Sequence, residues 1–141
     1  MKKLILLLVV IILFIGCEDL LLNPFSENSY SYIKLINNSI DNGEDDDGFK
    51  DGYYFTYIDD EQWEKQTYPF LFPSSNGEYD YLIAEVASGE HKIEFRRCSV
   101  KFEKNDDGKY NGSYLMARGD FLPPQYINVD AGDMISVYAE Q

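Results

Sequence analysis

The 141-residue chain is 45% hydrophobic and 16% aromatic, and its 25 acidic side chains face 12 basic ones, a net charge of −13. One small domain fits that length, and 12 Tyr with 9 Phe supply too much apolar area for a disordered segment. Nucleic-acid binding is excluded, because phosphate contacts need clustered Lys and Arg, and no such cluster occurs.

Met1-Lys2-Lys3 is a positive leader, and Leu4 to Ile15 is an unbroken apolar run of twelve residues closed by Gly16-Cys17. This is signal-peptide anatomy over residues 1–16. As a helix the run covers about 18 Å, short of the roughly 30 Å that a permanent span must cross, so its removal is expected. Phe14-Ile15-Gly16-Cys17 resembles the lipobox of bacterial lipoprotein precursors, with Phe14 where Leu is commoner and a bulky Ile15. The resemblance implies cleavage before Cys17, a diacylglyceryl thioether on Cys17, and lipid anchoring to a membrane of the bacterial cell envelope. Losing Lys2 and Lys3 leaves 10 basic residues against 25 acidic ones, a charge of −15. Anionic head groups repel such a domain, so acyl chains must hold it. With Cys17 acylated, Cys98 is left alone and no internal disulfide can form; its phase with Val100 and Phe102 marks a buried thiol.

Residues 17–29 read as a lipidated tether, and 30–141 as the folded domain. From Tyr30 the pattern alternates, with Ile33, Leu35 and Asn37 on one face, which is strand periodicity. Residues 41–52 carry six acids and three glycines and are expected as an extended, mobile solvent loop. Tyr53 to Ile58 is rich in aromatic and β-branched residues, a second strand. Asp59 to Gln66 is expected to make one helical turn around Trp63. Tyr68 to Phe72, flanked by Pro69 and Pro73, is demoted to an edge or extended segment.

Tyr79 to Val86 is apolar on both faces and is expected as a central strand. Ile93 and Phe95 hold one phase while Cys98, Val100 and Phe102 hold the other, so a bulge or sheet-switching bend is expected at Arg96-Arg97. Asn105-Asp106-Asp107-Gly108 is the strongest hairpin signal, leading to a strand over Tyr110 to Ala117. Two last strands, Tyr126 to Val129 and Met134 to Ala139, follow Pro123-Pro124. Seven or eight short strands without helical periodicity imply an all-β fold, a small β-sandwich, with a small β-barrel as the runner-up. Ala87 to Phe95 resembles the glycine-turn-then-strand element of PEGA-type and related bacterial Ig-like domains, which also implies a sandwich.

Chemistry-bearing residues are sparse. Asp45 and Asp47 fit two positions of an EF-hand loop with Gly48 at its turn, but Gly43 and Tyr54 fill the first and last ligand positions, so the pattern fails. His91, the one histidine, keeps strand phase and has no marked nucleophile beside it. No metal site and no cofactor are expected. Arg118-Gly119-Asp120 resembles the tripeptide of integrin ligands, and its place before Leu122-Pro123-Pro124 favours an exposed loop. Trp63 with Tyr53, Tyr54 and Tyr57 offers an aromatic platform for a sugar or a protein. The expected function is a membrane-anchored, non-catalytic lipoprotein domain that binds or organises an envelope protein or glycan. Two alternatives stand beside it. A protruding loop tip at Arg118 to Asp120 would favour a surface adhesin, and an aromatic groove with two facing carboxylates would favour a hydrolase.

Overall fold

The computed structural model describes residues 30–140. The expected signal segment 1–16, the expected acylation site Cys17 and the expected tether 17–29 lie outside the described residues.

Eight strands form in chain order: β1 (Ser31–Asn37), β2 (Lys50–Ile58), β3 (Glu61–Trp63), β4 (Asp80–Val86), β5 (Gly89–Lys104), β6 (Tyr110–Phe121), β7 (Gln125–Val129) and β8 (Met134–Tyr138). Among the described residues there is no helix. One sheet has the order β4-β1-β8, with β1 antiparallel to β4 and parallel to β8. The other runs β3-β2-β5-β6, and β7 pairs with the first part of β5. The fold is all-β, two sheets in a small sandwich with the larger sheet curled.

Period-two patterning places the core between the sheets. β1 sends Ile33 and Leu35 inward, where they meet Ala84, Ile93, Phe95 and Val137. Asn37, on the same face, is fully buried and all its bonding capacity is used. Its Nδ2 donates to the carbonyls of Gly52 (2.6 Å) and Leu71 (3.3 Å), and its Oδ1 accepts from the Ser39 amide (2.9 Å) and hydroxyl (2.7 Å). The network ties β1 to the start of β2, where Asp51 and Gly52 bulge between the register pairs Lys50–Val100 and Tyr53–Cys98. Gly52 is required there. Its φ is +88°, and a Cβ would lie 2.9 Å from Ser39 Oγ and 3.2 Å from Pro73 Cβ.

Four local expectations are corrected. β4 lies at an edge, and β1 is the centre of its sheet; Tyr81 and Ile83 make β4 look two-sided, but both are exposed. Asp59 to Trp63 is a hairpin instead of a helical turn. Asp59 and Asp60 both take positive φ, +52° and +70°, the type I′ geometry that suits strand twist, and Ile58 pairs with Glu61 across it. The phase change in β5 falls at the expected place for a different reason. β5 keeps an unbroken register with β2 from Ile93 to Cys98. Its first half is buried on the inter-sheet face and its second half on the opposite one, so each half exposes a different phase to packing. The bulge sits across from it on β6, where Gly119 and Asp120 oppose Arg97 alone. The acidic loop, finally, is folded. Asp45 Oδ1 accepts the amides of Asp47 (3.0 Å) and Phe49 (2.7 Å), and Asp41 pairs with Lys50 at 3.0 Å. Backbone donors and lysines offset the repulsion that would have extended it.

Leu71 exchanges two backbone hydrogen bonds with Tyr54, so the segment between Pro69 and Pro73 is the expected edge piece. The Asn105–Gly108 turn also forms where expected, with the Gly108 amide donating to the Asn105 carbonyl at 2.8 Å.

Candidate functional site

The alternation that sends Tyr54, Thr56 and Ile58 to the inter-sheet core sends Tyr53, Phe55 and Tyr57 to the other face of the larger sheet. There they meet Cys98, Val100 and Phe102 from β5 and Tyr114 from β6, while the edge segment adds Tyr68, Phe70 and Phe72. In a flat sheet the edge segment and β6 would stand three strand spacings apart, about 14 Å. The Phe70 and Tyr114 rings nevertheless lie 5.5 Å apart, because the sheet curls into a half-barrel around these rings. Phe55 and Val100 are sealed at its floor, and the Arg118 guanidinium lies over the Phe55 ring, 4.8 Å from its centroid. Burial pushes the Cys98 thiol up to about 12, so it stays protonated and unreactive.

The half-barrel is open at one end. Tyr53, Tyr68, Phe72, Phe102 and Tyr110 line a cleft of about 400 Å³, with Asp41, Lys50 and Ser75 at its rim. Phe72 and Phe102 stack with centroids 6.1 Å apart, and Tyr68 meets Phe72 edge-on at 5.1 Å. Tyr110 is 59% exposed. The Gly43 amide and then Lys50 hold the Asp41 carboxyl below the usual carboxylate range, and its bond to Asp41 raises Lys50. The pair is therefore ionised at neutral pH. Burial and then the Asp41 charge push the Tyr53 phenol up to about 12, so it remains a donor. Such a site combines ring faces for an apolar surface with a few fixed polar groups, the usual anatomy of a small-ligand cleft.

The cleft has a defined place relative to the chain's entry. β1 begins beside the Asp130–Asp133 turn, where Ser31 Oγ donates to the Asp130 carbonyl at 2.8 Å. It ends at Asn37, next to Gly52 and the 69–73 segment. The aromatic cleft is built on that far end.

The residues singled out in the sequence do not assemble as expected. Tyr53 and Tyr57 face the half-barrel, whereas Tyr54 and Trp63 pack on the inter-sheet core, so the four-ring platform is split between two faces. Trp63 Nε1 is buried without a hydrogen-bond partner. Arg118, Gly119 and Asp120 lie inside β6 instead of in a loop. Arg118 reaches over Phe55, while Asp120 lines a separate polar cleft with Asp51, Arg97 and Glu140, so guanidinium and carboxylate point apart. Loop placement failed because strand pairing with β5 continues past the bulge to Phe121. His91 is satisfied at the start of β5, its Nδ1 2.7 Å from Asp59 Oδ2 and its Nε2 2.8 Å from the Ala87 carbonyl. Among the described residues no three His, Cys, Asp or Glu side chains converge as a metal site.

Sequence reasoning missed Tyr68, Phe72, Phe102 and Tyr110 as one site. The available signal was the density of aromatic residues on both flanks of residues 53–114, but no spacing rule joins segments so far apart. The fold and cleft define a β-sandwich with an aromatic half-barrel. The chain matches no protein-family model, no curated protein and no solved structure.

Proposed function

We propose that the chain is a bacterial lipoprotein, acylated at Cys17 and held on its membrane by residues 17–29. Its sandwich domain is a non-catalytic module that binds an envelope glycan in the aromatic cleft. The observation that carries the binding role is the cleft itself, with Tyr53, Tyr68, Phe72, Phe102 and Tyr110 beside an ionised Asp41–Lys50 pair. Sugar rings present an apolar C–H face that packs on aromatic rings, and hydroxyls that suit Ser75, the Tyr53 phenol and the charged pair. Placement of the cleft at the end away from Tyr30 supports a module that stands on its tether and reaches outward. Thirteen residues of tether extend at most about 45 Å.

Non-catalytic binding fits the carboxylate at the cleft. Asp41 is held low by a backbone amide and Lys50, opposite to the raised pKa of a glycosidase general acid. An adhesin acting through Arg118 to Asp120 loses its support, because that tripeptide is strand with its two charges on different faces.

Two measurements test the proposal. Cys17→Ala should abolish acyl labelling and membrane retention; unchanged detergent partitioning would sink the anchor. Neutral N-acetylglucosamine and hexose oligosaccharides, titrated against the full chain in detergent, should shift the Phe102 and Tyr110 ring resonances. Ring resonances unmoved by every sugar would overturn the glycan reading.

A further inference from the structure

Asparagine followed by glycine is open to attack of the glycine amide nitrogen on the asparagine side-chain carbon, because glycine puts no side chain in the way. The chain has three such pairs, Asn42-Gly43, Asn76-Gly77 and Asn111-Gly112. They are closely matched. All six residues are exposed, the glycines take φ of +89°, +89° and +87°, and a Cβ on any of the three would meet nothing within 4 Å. Asn76 and Asn111 also share an Asx turn, in which Oδ1 accepts the amide two residues on, from Glu78 at 3.0 Å and from Ser113 at 2.8 Å. That bond folds each side chain over the next peptide.

The pairs differ at the nucleophile. The Gly43 amide donates to Asp41 Oδ1 at 2.8 Å and the Gly77 amide to Ser74 Oγ at 2.9 Å, so each must break a bond before it can attack. The Gly112 amide has neither a side-chain nor a turn acceptor among the described residues. It sits where Asn111, Gly112 and Ser113 together oppose Glu103, between the register pairs Lys104–Tyr110 and Phe102–Tyr114. We infer that Asn111 is a site of spontaneous deamidation, selected over the other two by this bulge in β6. The Gly112 nitrogen, giving its proton to water, bonds to Asn111 Cγ as the Cγ–Nδ2 bond breaks and ammonia leaves. Water then opens the cyclic imide at one carbonyl to aspartate or at the other to isoaspartate, so the net reaction exchanges ammonia for water. Either product sets a new carboxylate at the mouth of the aromatic cleft, which Tyr110 and Gly112 both line. Isoaspartate also lengthens the backbone of the bulge by one carbon.

The test follows the full chain in detergent at neutral pH. Trypsin separates the three pairs by cutting between them at Lys50 and Lys92, so mass spectrometry of the peptides reads three rates of amide-to-acid conversion. In the folded chain Asn111 should convert about tenfold faster than Asn42 or Asn76, the factor set by opening one hydrogen bond. In denaturant the three rates should converge. Ser74→Ala, which frees the Gly77 amide, should bring Asn76 up to the rate of Asn111. Equal rates in the folded chain, a lead for Asn111 that persists in denaturant, or an Asn76 rate unmoved by Ser74→Ala would each overturn the inference.

Discussion

The molecule holds two apolar clusters on opposite faces of one curled sheet, and they are built differently. The inter-sheet cluster is mainly aliphatic and closed, and the buried Asn37 beside it has its donors and acceptors filled within the protein. The half-barrel cluster is mainly aromatic, and its rings climb from a sealed floor at Phe55 and Val100 to the exposed Tyr110. A closed cluster offers a ligand nothing. An open one leaves ring faces that no described residue covers, so the same sheet closes a core on one side and leaves an accessible aromatic surface on the other.

The sharpest way to break that contrast is to empty the closed side. Phe95, 1% exposed and edge-on to Tyr54 at 6.1 Å, should cost about 3–5 kcal/mol as Phe95→Ala in denaturant unfolding. That is a large share of the roughly 5–15 kcal/mol of a small domain. Next is Asn37→Ala, which strands the buried Ser39 amide and takes one of two donors from each of the Gly52 and Leu71 carbonyls, and it should cost about 1–3 kcal/mol by the same measurement.

A smaller effect separates the sheets' turns from both clusters. Burial works against the His91 imidazolium, but the Ala87 carbonyl and the Asp59 carboxylate outweigh it and raise its pKa. The folded state then binds this proton more tightly than the unfolded state. The contribution is complete below about pH 6 and is lost as pH rises through the folded pKa. Burial likewise works against the Asp59 charge, and the Lys92 amide and His91 outweigh it to lower that carboxyl, so its share is lost only in acid. Melting should fall from pH 6 to pH 8 more steeply in the native chain than in Asp59→Asn; equal slopes would remove the pair from the account. The smallest effect is expected at Trp63. Trp63→Phe gives up ring area but also removes the orphaned Nε1–H, so stability should stay within about 1 kcal/mol.

Local pattern carried the first cluster and not the second. The alternation of Ile33, Leu35 and Asn37 and the Asp-Gly turn at Asp107-Gly108 are short-range signals, and strand number and sandwich class followed from them. Four features depend on distant residues. The Asp59-Asp60 turn is held by His91 and Lys92, β4 lies at an edge because β8 takes the other side of β1, and loop 41–49 is folded by Lys50 and Lys101. The aromatic cleft is the extreme case, since rings from four segments meet only after the sheet has curled. The Arg118 to Asp120 tripeptide misled for the same reason, because its strand character comes from β5.

The most direct measurement sets stability and binding side by side in Tyr110→Ala. Tyr110 lines the cleft and is mostly exposed, so its loss should change unfolding free energy by less than about 0.5 kcal/mol. Oligosaccharide binding should weaken at least about tenfold, equivalent to roughly 1.4 kcal/mol. A variant that binds as well as the native chain, or one that unfolds as readily as Phe95→Ala, would contradict the division of the molecule into a closed core and an open aromatic site.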